Sequence, residues 1–200
     1  MDFYESFKIS NEPIKQLDTW IKEAIDKNIP LPHAMNLSTV GPSGQPSSRI
    51  VLLKSLSNEG LVFFSDYLSQ KGEEIALNDR VSVTFWWAKT DKQIRVEGRC
   101  CKTTYDHSDK YFNSRPKDSK ISASISFQSK KIESYEFLME KAEDFRLHHE
   151  GKEIRRPERW GGYVLKPEKV EFWLNKPNRL HKREVFKLAF GNWKKYLISP

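Results

Sequence analysis

The sequence predicts a mainly β protein with added helices, an α+β class, and three observations support this. Short β-rich segments separated by turn residues recur over residues 34–101 and again over 163–197. An amphipathic stretch precedes the first set, and a long region of helical spacing separates the two sets. Because no repeat, low-complexity tract or linker interrupts the 200 residues, we expect one domain over 1–200.

The N-terminal helix is predicted over about 12–27. Asn11 suits the N-cap, Pro13 lies in the first turn, and Asn28 and Pro30 end the helix. Its apolar residues fall on one face at spacings of three and four: Ile14, Leu17, Trp20, Ile21, Ala24 and Ile25.

The first strand set contains five segments. They are Ala34–Val40, Arg49–Leu53, Leu61–Ser65, Arg80–Trp87 and Gln93–Cys101. Turn-forming runs such as Gly41-Pro42-Ser43-Gly44 separate them, and Ser69 caps a short helix at about 70–78. Strands joined by such short connections predict an antiparallel meander that closes toward a barrel.

A helical insertion is predicted over about 105–149. Pro116 divides helices at 105–114 and 119–126, and a longer helix covers 133–149. The longer helix brings six residues near one face: Tyr135, Leu138, Met139, Ala142, Phe145 and His149. The stretch from Gly151 to Pro157 is expected to be a charged surface loop. The second strand set follows, with Tyr163–Leu165, Val170–Leu174, Val185–Ala189 and Trp193–Leu197.

The sequence shows neither a membrane span nor a signal peptide. No apolar run reaches the ~20 residues that span a bilayer, and Met1–Glu5 lacks the basic and apolar regions of a signal peptide. We therefore expect a cytoplasmic protein that makes no membrane contact. The two cysteines, Cys100 and Cys101, are adjacent on a predicted strand, where neighbours point to opposite faces, so no disulfide is expected between them.

The formal net charge of +7 fits either nucleic-acid binding or pockets for phosphorylated small molecules. The basic residues are dispersed among acidic ones, which favours pockets over a continuous phosphate-tracking stripe. We therefore expect no nucleic-acid partner.

Several catalytic and binding motifs are missing from the sequence. It has no G-x-G-x-x-G, no Walker lysine loop, no H-E-x-x-H, no C-x-x-C and no G-x-S-x-G elbow. His148 and His149 are neighbours on a helix and cannot both face one ion, so we read them as a solvated helix end and predict no metal site.

Two segments place phosphate-compatible side chains together. The strand Arg49-Ile50-Val51-Leu52-Leu53-Lys54 is apolar between two cations, although a buried strand with basic ends would look the same. Residues 111–119 place Tyr111, Arg115 and Ser119 at spacings of four, which helical turns would present from one side, although Tyr111 and Phe112 also suit core packing. Further motifs follow in order: Gln128-Ser129, Trp160-Gly161-Gly162-Tyr163, Glu171-Phe172-Trp173 and Asn178-Arg179-Leu180-His181.

Taken in order, these motifs resemble the pyridoxamine 5′-phosphate oxidase family, also called pyridoxine 5′-phosphate oxidase, over residues 14–200. The resemblance implies an FMN-binding split β-barrel and a homodimer with FMN in clefts at the subunit interface. It also implies oxidation of the phosphorylated B6 vitamers to pyridoxal 5′-phosphate, with molecular oxygen as acceptor and H₂O₂ as product.

The resemblance further implies the residues of both sites. For FMN they are Arg49, Ile50, Val51, Leu52, Leu53, Lys54, Phe64, Ser65, Lys71, Gln93, Gln128, Ser129, Trp173 and Arg183. For the substrate they are Lys54, Tyr111, Arg115 and Ser119 around its phosphate, with Arg179 and His181 near the reacting carbon as catalytic residues. Composition alone would leave Gln93 a strand-surface glutamine and His181 a loop histidine.

The sequence departs from the family pattern at two positions. Gln70 stands where the family usually has Arg, and Lys182 stands where it usually has Asp. The first change removes a cation beside Lys71, and the second removes an acidic partner near His181 and Arg183. A member that binds FMN or pyridoxal 5′-phosphate without useful turnover is therefore the alternative function.

Overall fold

Ten strands form one mixed sheet in the computed structural model, which describes residues 4–7 and 9–200. The strands are β1 (Glu5–Ser6), β2 (Ala34–Val40), β3 (Pro46–Leu52), β4 (Ser55–Ser57), β5 (Gly60–Asp66), β6 (Arg80–Trp87), β7 (Lys92–Lys102), β8 (Trp160–Leu174), β9 (Lys182–Ala189) and β10 (Asn192–Ile198). The main path runs β1-β4-β5-β8-β7-β6-β2-β3, and the β9–β10 hairpin joins it through β8. The sheet curls into a half-barrel, which brings β3 beside β5 without pairing them.

Five α-helices accompany the sheet in the described part of the chain. They are α1 (Glu12–Asp26), α2 (Gln70–Leu77), α3 (Tyr105–Ser114), α4 (Lys117–Ile125) and α5 (Tyr135–His148). Their positions confirm the predicted helices to within two residues at every end. None of these helices is long and apolar enough to cross a membrane. The segment Met1–Phe3, used above to predict localisation, lies outside the described residues.

The predicted meander is wrong in its connections, although its individual strands are present. The hairpins β2–β3 and β6–β7 form as expected, but β5 pairs with β4 and β8 rather than with its neighbours in the first strand set. Residues of β5 are buried on both faces, so its backbone N–H and C=O groups are shielded from water and need hydrogen-bond partners at both edges of the strand. Its second partner comes from residues about 100 positions later, which turn chemistry cannot indicate.

The strand β8 replaces two separately predicted strands. It continues from Trp160 to Leu174, with a register irregularity opposite Glu97 and Gly98 that accommodates Pro167. Its first half pairs with β5 and its second half pairs with β9. One strand thus connects the central sheet to the C-terminal hairpin.

The hydrophobic core confirms most of the predicted helix face. Ile14, Leu17, Ile21 and Ala24 of α1 pack against the sheet, whereas Ile25 is 40% exposed. A second cluster joins Phe112, Ile121, Ala123, Ile154 and Trp160 beneath α3 and α4. In α5 no residue is fully buried, and Ala142 and Phe145 only cover this second cluster. Cys100 is buried and Cys101 exposed, both as free thiols, as their opposite strand faces predicted.

Candidate active site

A cleft of about 590 Å³ lies where β3, β5, α2, α3 and α4 meet. The predicted site residues that line it are Ile50, Val51, Leu52, Lys54, Phe64, Ser65, Lys71, Tyr111, Arg115, Ser119 and Gln128. Among the described lining residues Lys54, Lys71, Lys110 and Arg115 are cationic, against the single carboxylate of Glu5. The cleft is therefore suited to an anionic ligand.

One wall of the cleft is aromatic. The Phe64 ring stacks on Tyr111 at 3.9 Å between centroids and on Trp160 at 5.6 Å. The Arg115 guanidinium lies 4.5 Å from the Trp160 ring centroid. Phe64 passes over Gly162, where an added Cβ would lie only 2.9 Å from its ring, so glycine is needed for this close approach. A planar ligand can therefore stack on these rings, with the Arg115 guanidinium close by.

A polar cluster at the other side of the cleft centres on Lys71, in the first turn of α2. Its Nζ donates to Ser65 Oγ at 3.1 Å, to Ser69 Oγ at 3.2 Å and to Gln128 Oε1 at 3.1 Å. Burial, with the nearby charge of Arg49, holds the pKa of the Lys71 ammonium below its ordinary value. A bound dianion would stabilise this partly desolvated ammonium. Its oxygens could also accept hydrogen bonds from the serine hydroxyls beside Lys71.

Arg49 lies next to this cluster but does not line the cleft. Its guanidinium donates to Thr39 and Ser47 and forms an ion pair with Glu74 at 3.3 Å. Glu74 is buried, which by itself would raise its pKa. Hydrogen bonds, led by the one from Thr39, outweigh burial, and the pKa of the carboxyl lies below its ordinary value. Arg49 therefore faces a carboxylate that stays ionised in the folded protein.

Among the described strands, β3 is an edge of the sheet and pairs with β2 alone. An edge strand presents unused backbone N–H and C=O groups, which can bind the polar rim of a flavin ring. Ile50 is 64% exposed, so this edge is accessible. The side chain of Leu53 lies instead in the hydrophobic core.

Three of the four residues predicted to surround the substrate phosphate come together, but not on one helix. Tyr111 belongs to α3, Arg115 is its C-cap, and Ser119 lies in α4 after the break at Pro116. All three line the cleft with Lys54, which follows β3. The spacing of four correctly predicted that these side chains face the same side. The structural reason is the corner at Pro116 between two helices, not one continuous helix.

Five further predicted residues form a second group, here called the C-terminal group: Gln93, Trp173, Arg179, His181 and Arg183. Gln93 and Arg183 flank Trp173 on the neighbouring strands, and the rings of Trp173 and His181 lie 4.6 Å apart. Arg183 forms an ion pair with Glu171 at 2.7 Å. Arg179 is exposed and has a φ of 60°, a left-handed conformation that a non-glycine residue adopts at some cost.

The C-terminal group and the cleft lie at opposite ends of β8. Trp160 lines the cleft and Trp173 belongs to the C-terminal group, thirteen positions further along the strand. At about 3.3 Å per residue this is up to roughly 40 Å. None of the C-terminal group lines the cleft. The two groups of one chain therefore lie at different places along the sheet.

The two departures from the family pattern have clear local partners. Gln70 donates to Glu74 and Ser47 and is not part of the cleft lining. Lys182 lies 3.6 Å from Glu184. Arg183 keeps a carboxylate partner in Glu171, so an acidic residue at position 182 is not needed for its pairing.

Sequence reasoning missed several cleft residues. His107 lies one turn before Tyr111 on α3, and this spacing could have indicated it; Lys110 lies one turn before Ser114, another lining residue. Glu5 and Phe7 reach the cleft because β1 pairs in parallel with β4, a long-range contact without a local signal. Ser129 lines a neighbouring cleft of about 470 Å³, and Gln128 borders both.

Comparison with protein families gives two matches. Residues 21–149 match the family described as pyridoxamine 5′-phosphate oxidase. Residues 160–200 match the pyridoxine 5′-phosphate oxidase C-terminal dimerisation region, which supports a homodimer.

Individual proteins show the same relationship. The chain is 44% identical over 194 residues to the pyridoxine/pyridoxamine 5′-phosphate oxidase of Paraburkholderia xenovorans (strain LB400), covering 96% of this chain and 91% of that protein. It is 44% identical over 190 residues to the enzyme of the same name from Mannheimia succiniciproducens, covering 95% and 90%. Among solved structures, PhzG from Burkholderia lata 383, in complex with tetrahydrophenazine-1-carboxylic acid, superposes with a TM-score of 0.91 at 28% identity, covering 96% and 95%. A pyridoxamine 5′-phosphate oxidase-related, FMN binding protein from Nostoc punctiforme shares the fold, with a TM-score of 0.75 at 15% identity, covering 96% and 99%.

Proposed function

The chain belongs to the pyridoxine/pyridoxamine 5′-phosphate oxidase family, and we propose on that basis that it oxidises pyridoxamine 5′-phosphate and pyridoxine 5′-phosphate to pyridoxal 5′-phosphate with FMN as cofactor. The observation that carries the proposal is the pair of cationic groups in one cleft, Lys71 with Ser65 and Gln128, and Arg115 with Lys54. Two phosphorylated molecules need two such groups. The aromatic wall between them suits their planar rings.

The residues present fit FMN in two respects. Lys71 offers a partly desolvated ammonium and Ser65 a hydroxyl to the phosphate. The open edge of β3 offers backbone groups to the ring. When bound, FMN would supply the two-electron acceptor that protein side chains lack, with molecular oxygen as the final acceptor and H₂O₂ as product.

The protein side chains bind and orient the substrate in this proposal. Lys54, Tyr111, Arg115 and Ser119 surround its phosphate. Arg179 and His181 approach the reacting carbon and assist removal of its proton, His181 being held by an acceptor bond from the backbone N–H of Lys176 at 3.2 Å. For the amine, water enters and ammonia leaves; for the alcohol, only two electrons and two protons are removed.

A homodimer with shared sites is part of the proposal. Since the C-terminal group lies up to roughly 40 Å from the cleft of its own chain, we place it over the cleft of the partner. The exposed, left-handed Arg179 and the match of residues 160–200 to a dimerisation region support this arrangement. Sedimentation of the flavin-loaded protein is expected to give a dimer, and a strict monomer with FMN bound would contradict it.

An aerobic assay with added FMN tests the function. We expect pyridoxal 5′-phosphate and H₂O₂ from both phosphorylated substrates. A yellow protein that binds FMN but forms neither product would favour the alternative, a member that holds FMN or pyridoxal 5′-phosphate without turnover. A protein that binds no flavin would contradict both.

A second candidate substrate is a reduced tricyclic carboxylic acid. The similarity to PhzG, solved with tetrahydrophenazine-1-carboxylic acid, favours it at 28% identity. Phe64, Tyr111 and Trp160 could stack such a ring, but the several cations in the cleft suit a phosphate dianion better than one carboxylate. Parallel assays with both substrate classes would separate them through kcat/KM.

A further inference from the structure

Arg159 binds the end of α4. It precedes Trp160, and its Nη2 donates to the carbonyl oxygens of Ala123 at 3.0 Å and Ser124 at 2.8 Å, while Nη1 donates to that of Ser126 at 3.1 Å. Carbonyls at a helix C-terminus lack partners within the helix and attract cations. The guanidinium therefore fixes where α4 ends and where the chain continues toward Gln128.

The same guanidinium forms an ion pair with Asp66, and both side chains are buried, at 11% and 1% exposure. Asp66 in turn shapes the turn that leads into α2. Its Oδ1 accepts from the backbone N–H of Leu68 at 2.8 Å, and its carbonyl accepts from Ser69 Oγ at 2.6 Å. Ser69 caps α2, whose first turn carries Lys71. Arg159 thus contacts the two segments, 66–71 and 123–129, that build the polar cluster.

Within that cluster the two segments meet through Gln128. Both Ser65 Oγ and Lys71 Nζ donate to Gln128 Oε1 at 3.1 Å. The Arg159 guanidinium also lies 4.1 Å from the ring of Phe127, the residue before Gln128. Just beyond the two segments, Lys130 forms an ion pair with Glu73, but both side chains are about half exposed, so this pair stabilises little.

We propose that Arg159 is a positioning residue for the cofactor phosphate site, an inference that rests on the proposed FMN-binding function. Arg159 does not line the cleft. It acts by holding Gln128 against Lys71 and Ser65, so that the phosphate meets a preformed group of donors. Without the Arg159 contacts, the segment after α4 would adopt several arrangements, of which only one binds phosphate. The affinity for FMN would then fall in proportion to the fraction of molecules in that arrangement.

The substitution Arg159→Lys tests the proposal while keeping a cation opposite Asp66. Lysine lacks the planar guanidinium that donates at once to the carbonyl oxygens of Ala123, Ser124 and Ser126. We expect FMN affinity, measured by fluorescence quenching on apoprotein, to fall about tenfold or more. Hydrogen exchange of amides 125–130 should speed up in the apoprotein. At saturating FMN, KM for pyridoxine 5′-phosphate should stay within about twofold of the parent.

Arg156→Lys is the matched control. Arg156 lies on the same loop, its side chain is 6% exposed, and its guanidinium pairs with Asp109 at 2.6 Å and donates to the carbonyls of Pro157 and Trp160. This variant should lose comparable thermal stability but keep the parent's FMN affinity and its exchange at 125–130. Equal FMN affinity in Arg159→Lys and the parent, or equal losses in both variants, would overturn the proposal.

The outcomes separate this inference from the proposed function. If the parent binds no FMN, the function fails; if the parent binds FMN and Arg159→Lys binds it equally well, only the role of Arg159 fails. Should Arg159→Lys not fold, hydrogen exchange on the parent decides. FMN should then protect amides 66–71 and 125–130 to the same extent, and protection of only one segment would refute the brace.

Discussion

Gln70 donates a hydrogen bond from Nε2 to Oε1 of Glu74 at 2.9 Å, one helical turn further along α2. The other oxygen of this carboxylate faces Arg49 at 3.3 Å. Gln70 therefore shares the carboxylate that offsets the charge of Arg49, and it contributes no charge of its own. A cation at position 70 would therefore compete with Arg49 for this carboxylate.

Gln70→Arg is expected to tighten FMN binding roughly threefold to tenfold at low salt. The new guanidinium can take over Glu74 and release Arg49, or reach the phosphate itself. Flavin fluorescence quenching on apoprotein measures the change, which should shrink as ionic strength rises. Gln70→Met is the uncharged control and should gain nothing. Equal or weaker affinity in the arginine variant would show that this charge does not act on the cofactor.

FMN affinity is expected to fall with rising pH before ordinary lysines titrate. The pKa of Lys71 is lowered by burial and by Arg49, and only its protonated form attracts a phosphate dianion. Above that lowered pKa the ammonium is lost, so affinity declines. Lys71→Arg should keep its affinity to higher pH, because guanidinium does not titrate there. Parallel pH profiles for the parent and this variant would contradict the assignment.

Arg115→Ala is expected to raise KM for pyridoxine 5′-phosphate while leaving FMN affinity nearly unchanged. Each lost charged hydrogen bond to the substrate phosphate costs ~1.5–3 kcal/mol, or roughly ten- to 150-fold in KM. Steady-state kinetics at saturating FMN and a separate flavin titration measure the two effects. Arg80→Ala, at an exposed site on β6, is the control. A variant that loses flavin but keeps its KM would disprove the assignment.

Subunit mixing tests whether each site is shared. Arg115→Ala disables the cleft and Arg179→Ala the C-terminal group, so each homodimer should be poorly active. In a mixed dimer one site carries both defects and the other carries none. Randomly mixed variants should therefore recover about a quarter of the parent's activity. No recovery, in a mixture shown to exchange subunits, would mean that each site lies within one chain.

Local sequence signals predicted most elements because their causes are local. Strand β6 and helix α3 have the predicted bounds, since alternation, capping and turn residues act within a few positions. The shared side of Tyr111, Arg115 and Ser119 was also readable from spacing. The pairing of β5 with β8 could not be predicted from spacing, because it joins segments about 100 residues apart. It forms because β5 is buried and its backbone needs a second hydrogen-bonding partner.

The sequence by itself determined the element types, the family and the residue types available for two phosphates. Only the tertiary structure decided which of those residues line the cleft and which belong to the C-terminal group. It places the cleft and the C-terminal group at opposite ends of β8, because this strand stays continuous past Pro167 instead of turning back. It also turns Arg49 toward Glu74 and buries Arg159 between two distant segments. Which charged side chains are buried next to each other, and so form ion pairs, depends on the packing of segments that are remote in the chain.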